Sequence, residues 1–206
     1  MAERAISPVV GVALALVITL LLATMFAVGA VEMADFGRER RQVDDLTNGS
    51  SAGAGGDYRS ELIWARDDGA ATTTTHVVNY SIAPGSDTAG NSLNSVVIEY
   101  PDGSADVSDV DERAEILVVG IDADRDGTID TDATGDIECC PPSDGVIVSD
   151  GGNTLRIELS GNYNLEGGDA LVVEYEAVDN PSAGNYSVTV GVNGDVTDTG
   201  TLEVGD

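Results

Sequence analysis

The sequence predicts an α+β protein, in which a long N-terminal hydrophobic helix is followed by a mostly antiparallel, Ig-like β-sandwich head. The helix is predicted by residues 9–31, which are 23 consecutive residues without a charge. At about 1.5 Å per residue, such a helix crosses a hydrocarbon core about 30 Å thick. The head is predicted by the alternation of apolar and polar residues beyond Tyr58, broken by turns rich in Gly, Asp, Asn and Pro. Period-two alternation of this kind is typical of strands with one buried face.

The predicted helix begins near Ser7 and Pro8, a capping residue followed by a residue suited to the first helical turn. Past residue 31 the helix continues as an amphipathic one, because Met33, Phe36 and Leu46 share one helical face. Small and polar residues then indicate a flexible linker. We therefore predict a leader over residues 1–5, a helix over 6–46, a linker over 47–57 and an acidic head over 58–206.

About nine short strands are expected in the head. They cover residues 61–65, 74–82, 93–100, 116–119, 146–149, 155–160, 171–176, 186–193 and 201–204. Turn signals such as Asp102-Gly103 and Asn193-Gly194 separate them. This number of short strands in a domain of this size predicts a sandwich whose core is mostly Val, Ile and Leu.

The charge of the chain restricts its partners. The net charge is −28, and residues 57–206 carry 31 acidic residues against 5 arginines, a net of −26. Nucleic acids and anionic membrane surfaces would repel such a domain. All nine basic residues are arginines, and a folded acidic domain without lysine indicates a very salty, halophilic medium in which self-repulsion is screened. Disorder is disfavoured because the acidic region retains apolar strand patterns.

Nothing in the sequence indicates an enzyme. Cys139 and Cys140 are adjacent, either as two thiols or as a local strained bridge, and neither state could staple distant segments or complete a zinc site. The sole histidine, His76, lies on the apolar face of a predicted strand and is expected to be a hydrogen-bonded core or rim residue. Nucleophile-elbow and phosphate-loop motifs are missing from the sequence. We expect no catalytic residues and no required cofactor.

One segment has the spacing of a calcium loop. Its candidate ligands are Asp122, Asp124, Asp126, Thr128 and Asp130, with Gly127 at the position of the sharp turn. Ala133 replaces the bidentate glutamate of an EF-hand, although Asp132 or Asp136 could substitute for it. No helices are predicted beside the loop, so an EF-hand is excluded. The alternatives are a structural Ca²⁺ that ties down the loop, or a solvated turn in a chain rich in acids.

Three Asn-x-Ser triplets, at Asn48, Asn79 and Asn185, are candidate N-glycosylation sites. Asn79 is expected to point outward, since it alternates with His76 and Tyr80 along the same predicted strand. Such sites would make the head a surface glycoprotein.

The N-terminal residues Arg4-Ala5, followed by Ile6-Ser7-Pro8-Val9-Val10-Gly11-Val12, resemble the class III signal peptide of archaeal type IV pilins, particularly those of halophilic archaea. The resemblance implies that a prepilin peptidase cuts between Ala5 and Ile6, so Arg4, Ala5 and Ile6 form the processing site. It also implies that the hydrophobic helix is retained, anchors the subunit in the membrane as a single transmembrane helix before assembly, and then packs in the filament core.

Two functions follow as expectations. The first is a structural subunit, a major or minor pilin, of an archaeal type IV pilus-like surface filament involved in adhesion. Its partners would be the prepilin peptidase and other pilin subunits in a helical homo- or hetero-polymer. The second is a cell-surface binding module held by a permanent single-pass membrane anchor, in which the β-sandwich recognises a ligand or carries calcium. Both place the head outside the cell, and cleavage before Ile6 discriminates between them.

Overall fold

The computed structural model describes residues 59–138, 144–194 and 196–206, and these residues form a β domain. The chain divides after Ser51 into two units, and all described residues belong to the second. Short 3₁₀ turns lie at Arg113–Glu115 and Thr134–Asp136. The strands are β1 (Ile63–Ala65), β2 (Thr73–Ser81), β3 (Ser95–Glu99), β4 (Ile116–Asp122), β5 (Thr131–Asp132), β6 (Val146–Ser149), β7 (Thr154–Glu158), β8 (Ala170–Asp179), β9 (Gly184–Val192) and β10 (Val196–Val204).

The strands form two five-stranded sheets, which we call the first and second sheet. The first has the order β1-β2-β8-β4-β5 and the second the order β10-β9-β3-β7-β6. Every pair of neighbouring strands is antiparallel. The expected antiparallel β-sandwich head is therefore confirmed. The predicted helix, leader and linker lie outside the described residues, and within the described residues no helix is long and apolar enough to cross a membrane.

The core lies between the inner faces of the two sheets, as the alternation predicts. In β7, Leu155 and Ile157 are fully buried while Arg156 between them is exposed. Their partners across the ladder in β3, Ile98 and Val96, are fully buried as well. Aliphatic side chains thus dominate the interior, and their burial is the main driving force for folding the domain.

The central strands of the first sheet depart from the prediction of one buried face. In β2 and β8 both faces are buried, because a second apolar cluster of Trp64, Val77 and Val172 covers the outer face. Ile129, from the loop after β4, packs against this cluster. Alternation alone could not predict this cover, since it comes from neighbouring strands and a distant loop.

The last hairpin is longer than the sequence pattern suggests. The predicted strand over 201–204 is the end of β10, which pairs with β9 from Val196 to Val204. The expected Asn193-Gly194 turn is observed between the paired residues Val192 and Val196, with φ of 57° and 80°, left-handed values that Asn and Gly adopt more readily than other residues. The turn fixes the register, so a Thr-, Asp- and Gly-rich segment of low strand propensity still pairs completely.

The sequence pattern also did not predict β5, which has only two residues.

Candidate functional site

The acidic loop connects β4 to β5 at one edge of the first sheet. Asp122 is the last residue of β4 and is fully buried. Its Oδ2 accepts a hydrogen bond of 2.8 Å from the Gly127 N–H, and its Oδ1 accepts one of 3.2 Å from the Asp126 N–H. Gly127 has a φ of 89°, a backbone conformation that residues other than glycine rarely adopt. The sharp turn predicted at this glycine is therefore observed.

Three of the five candidate ligands converge. Carboxylate oxygens of Asp122, Asp124 and Asp130 lie within 4.8 Å of one another. Asp126 is outside this group, and its Oδ1 accepts a hydrogen bond of 2.8 Å from the Thr128 N–H. Their negative charges repel one another, although solvent and salt screen the two exposed carboxylates, Asp124 and Asp130. A divalent cation between them would reverse that repulsion.

Neither substitute for the missing twelfth ligand joins the group. Asp132 Oδ1 accepts a hydrogen bond of 2.9 Å from the Thr134 N–H, and Asp136 accepts one from the Tyr163 hydroxyl. Strands flank the loop on both sides, which agrees with the exclusion of an EF-hand. The loop thus offers three converging carboxylates, of which one is buried, and would need backbone carbonyls or water to complete a calcium sphere.

A directed chain of hydrogen bonds surrounds His76 in the core. The Asn180 Nδ2 donates to the carbonyls of Asp67 and Gly69, at 2.8 and 3.0 Å. Its Oδ1 therefore faces His76 Nε2, at 2.9 Å, and must accept from it. The neutral imidazole then has a bare Nδ1, which accepts from the Tyr100 hydroxyl at 2.7 Å. Tyr100 in turn accepts from the Tyr175 hydroxyl at 2.5 Å.

This chain links the two sheets, because His76 and Tyr175 lie in the first sheet while Tyr100 follows β3 of the second. Burial lowers the pKa of His76 to about 4, although its hydrogen bond to Asn180 acts in the opposite direction. Burial also raises the pKa of both tyrosine hydroxyls. The expectation of a satisfied core histidine is confirmed. Its partners Tyr100, Tyr175 and Asn180 were not foreseen, since no local pattern brings residues so far apart in sequence together.

The candidate glycosylation sites differ in exposure. The prediction that Asn79 points outward as an exposed acceptor is wrong, because only 4% of it is exposed and its Nδ2 donates to the Arg59 carbonyl at 2.7 Å. The outer apolar cluster on the first sheet buries the face that was expected to be open. Asn185 is exposed in β9 and stays a prediction, and Asn48 lies outside the described residues.

The predicted processing residues Arg4, Ala5 and Ile6 also lie outside the described residues, as do Cys139 and Cys140. Within the described part of the chain, sequence reasoning missed a polar pocket between the loop that precedes β3 and the β9–β10 turn. Its lining is rich in Ser, Thr, Asn and Asp, which in sequence only signalled a loop.

Residues 4–41 match the family model described as archaeal type IV pilin, N-terminal. This match confirms the resemblance expected from the residues around Ala5 and Ile6. It covers the N-terminal part of the chain and none of the described β domain. No curated protein matches this sequence.

Several solved structures are similar to the β domain at low identity. BslA, a bacterial hydrophobin, is 15% identical over 69% of this chain and 98% of its own, with a TM-score of 0.35. The group B streptococcus pilus 2b backbone protein is 14% identical over 70% of this chain and 57% of its own, with a TM-score of 0.41. A collagen-binding domain from a Staphylococcus aureus adhesin is 10% identical over 70% of this chain and 99% of its own, with a TM-score of 0.34.

Proposed function

We propose that this chain, whose residues 4–41 match the N-terminal segment of archaeal type IV pilins, is a structural subunit of a type IV pilus-like filament on the cell surface. The observation that carries the proposal is this family match on a charge-free segment, in a chain that continues into an independent β domain. The subunit has no catalytic role. It assembles with other pilin subunits and displays its acidic head outward, where the head serves adhesion in a salty medium.

Physical considerations support the assembly role of the N-terminal segment. A helix that is apolar on all sides needs lipid before assembly and other helices after it. Small residues, among them Gly11, Ala13 and Ala15, permit close approach of helices in either setting. Identical subunits related by a repeated head-to-tail contact that does not close form an open helical filament. Membrane residence is then the state that precedes assembly.

Processing by a prepilin peptidase separates this proposal from a permanently anchored surface module. We expect mass spectrometry of the protein isolated from its native membrane or filaments to find a mature chain that begins at Ile6. Retention of Met1 or Ala2 in filament-bearing cells would exclude the filament subunit and favour the anchored β-sandwich module.

Leader variants test the same step genetically. Arg4→Ala and Ala5→Asp should block cleavage and remove the protein from filaments seen by electron microscopy. Arg156→Ala is the matched control, because it removes a half-exposed arginine of the β domain and should leave cleavage unchanged. Normal cleavage and piliation in both leader variants would contradict the proposal.

For the acidic loop, we propose a structural Ca²⁺ held by Asp122, Asp124 and Asp130, with a role in stabilising the head. The approach of three carboxylates within 4.8 Å supports it. Both oxygens of Asp122 already accept backbone N–H bonds, so the loop can close without a cation. The ion would tighten a loop that is already formed and offset part of the negative charge of the head.

Thermal unfolding of the purified chain in high salt, with added calcium or with a chelator, measures this contribution. If the dissociation constant is about 10⁻⁴ M, as in extracellular calcium modules, saturation a hundredfold above it adds about 2.7 kcal/mol. For a domain of this size that corresponds to a rise in Tm of about 5 to 10 °C. Asp124→Asn should abolish the rise, whereas Asp109→Asn, at an exposed aspartate outside the loop, should keep it. Equal Tm values with calcium and with the chelator would refute the proposal of a structural calcium site.

A further inference from the structure

The outer face of the second sheet is a regular surface that crosses all five strands. Its residues alternate with core residues such as Val96 and Ile98, which are fully buried. The ladders align one outward row, which consists of Thr197, Gly191, Val97, Arg156 and Ile147. A second row, two residues along each strand, consists of Thr199, Thr189, Glu99, Thr154 and Ser149. We call this surface the second-sheet face.

The second-sheet face holds little of the negative charge of the domain. Residues 57–206 contain 31 acidic residues, and three of them alternate onto the outward side of these strands, namely Glu99, Glu158 and Glu203. Asp198 of β10 lies opposite the core residue Val190 and so belongs to the other side. Arg156 is on the face and pairs with Glu158 at 2.9 Å. Three glutamates against one arginine give the face a net charge of −2, compared with −26 for residues 57–206.

The middle of the face is apolar, although alternation predicts polar residues on an outward side. Val97 and Ile147 are half-exposed and flank Arg156 in the first row. The aliphatic part of an arginine side chain can cover such neighbours while its guanidinium stays in water. Gly191, on the other side of Val97, adds no side chain. An apolar middle with few charges, surrounded by threonines and serines, resembles the core and polar rim of a protein–protein interface.

The charge distribution selects the kind of partner. A basic partner would be attracted to the acidic loops and edges of the domain and not to this face. An acidic partner is repelled by those loops and edges, because like charges brought together across an interface are unfavourable. It can approach the second-sheet face with far less repulsion. A second copy of this chain is such a partner, and it offers the same nearly neutral face in return.

The described chain begins on the opposite side of the sandwich. Asn79 lies on the outer face of the first sheet, and its Nδ2 donates to the Arg59 carbonyl at 2.7 Å. Arg59 also places its guanidinium 5.8 Å from the centre of the Trp64 ring, which belongs to the outer cluster of the first sheet. The chain therefore enters the domain without crossing the second-sheet face.

We propose that the second-sheet face binds the same face of a second copy of this chain, with the two sheets packed about 10 Å apart. Five strands about 4.8 Å apart and about 20 Å long on average give a face of roughly 500 Å². A stable interface of standard size buries about 800 Å² per partner. A single contact between two heads is therefore weak, and it becomes strong where many heads are held in matching arrays.

The symmetry of this contact decides which copies it joins. A contact that uses the same patch on both copies has a two-fold axis and closes into a pair. The repeated contact within a filament has to be head-to-tail, because only such a contact continues without closing. The second-sheet face therefore joins heads of different filaments that lie side by side. This last step rests on the proposed filament, whereas pairing of two heads does not.

Photo-cross-linking of the full chain in detergent and high salt tests the pairing. A small diazirine amino acid replaces Ser187, which is exposed on the same face, in an equal mixture of ¹⁴N- and ¹⁵N-labelled protein. We expect mixed-isotope dimers in which both linked peptides come from the second sheet. The probe at Asp109, an exposed residue outside the second sheet, should give about tenfold fewer dimers. Equal yields at the two positions, no dimers from Ser187, or links from Ser187 to the first sheet would overturn the proposal.

A charge placed on the face distinguishes a contact from mere proximity in the micelle. Thr189→Asp should lower the yield of Ser187 dimers about tenfold, because a two-fold contact brings two new carboxylates into one interface. Thr189→Asn has nearly the same shape without the charge and should keep the wild-type yield. Ala83→Asp adds the same charge at an exposed residue outside the sheet and should also keep it. Equal Tm values would show that all three variants are folded, and equal dimer yields in Thr189→Asp and Thr189→Asn would refute the contact.

Electron microscopy of cells that produce the protein tests the joining of filaments. We expect wild-type filaments to form side-by-side bundles and Thr189→Asp filaments to stay separate. Bundles that persist unchanged in Thr189→Asp would refute this role of the face. Neither result affects the cleavage before Ile6 or the presence of the chain in single filaments, so failure here is distinct from failure of the filament proposal.

Discussion

Mild acid should destabilise the β domain through a single side chain, His76. It is the one histidine of the chain, it is fully buried, and its burial lowers its pKa from 6.5 to about 4. Tyr100 donates to its Nδ1, which favours the neutral ring, whereas Asn180 accepts from its Nε2 in either charge state. The groups that contact its ring are Tyr100, Tyr175 and Asn180, and all three are uncharged. None of them therefore offsets the cost of charging the imidazole.

The sign of the effect follows from the two pKa values. As the pH falls below 6.5 the unfolded chain takes up a proton that the folded chain does not, so the unfolded state is stabilised relative to the folded one. The stabilisation from a neutral His76 is complete above pH 6.5 and is lost as the pH falls towards the folded pKa of about 4. At 1.36 kcal/mol per unit, the full loss is about 3 kcal/mol, of which about 2 kcal/mol is gone by pH 5. A domain stabilised by about 5 to 15 kcal/mol would show this clearly.

Denaturant unfolding between about pH 7 and pH 5, at constant high salt, isolates the imidazole, because most carboxylates titrate at lower pH. His76→Gln is the matched variant, since its amide can donate to Asn180 and accept from Tyr100 without titrating. We expect the free energy of unfolding to fall by about 2 kcal/mol in the wild type and to stay nearly flat in the variant. If the free energy of unfolding of the wild type does not change between pH 7 and pH 5, or changes equally in both proteins, the conclusion that His76 is neutral in the folded state is wrong.

Three further predictions concern other contacts. Tyr100→Phe should lower the free energy of unfolding by about 2 to 4 kcal/mol, because it leaves a ring nitrogen of His76 and a second tyrosine hydroxyl unpaired; a loss below about 0.5 kcal/mol in chemical denaturation would contradict the hydrogen-bond chain. Gly120→Ala should cost about 1 to 3 kcal/mol by overpacking, since a Cβ there would lie 2.5 Å from the Ile129 side chain, and an unchanged Tm would count against that contact. If the exported protein is glycosylated on its head, glycopeptide mass spectrometry should place the sugar at exposed Asn185 and none at the buried acceptor in β2; the reverse pattern would overturn the burial assigned to that strand.

Alternation along the chain was sufficient to predict the sandwich class, because it reports directly which face of a strand meets a core. β7 follows it residue by residue, with Leu155 and Ile157 inside and Arg156 outside. It failed for β2, where Asn79 is buried on the outer face. That burial depends on the second apolar cluster, which includes Trp64. A periodic pattern contains no information on what covers the second face of a sheet.

The acidic loop was predictable for a different reason. Its ligand spacing lies within nine residues, so the turn at Gly127 and the approach of Asp122, Asp124 and Asp130 are local events. Asp126 instead accepts a hydrogen bond from the Thr128 N–H, which is also a local contact. The spacing could not predict this contact, because the same carboxylate can bind either a cation or a backbone N–H.

By itself, then, the sequence determined the pilin-like N-terminal segment, the antiparallel class of the head and the spacing of the acidic loop, since each depends on neighbours along the chain. Only the tertiary structure decided which distant groups meet. It brought His76 to Asn180, 104 residues away, and the loop at Thr88 to the turn at Asn193. The physical reason is that sheet order and register, which emerge from packing of the whole domain, set these distances, and no residue carries them in its local pattern.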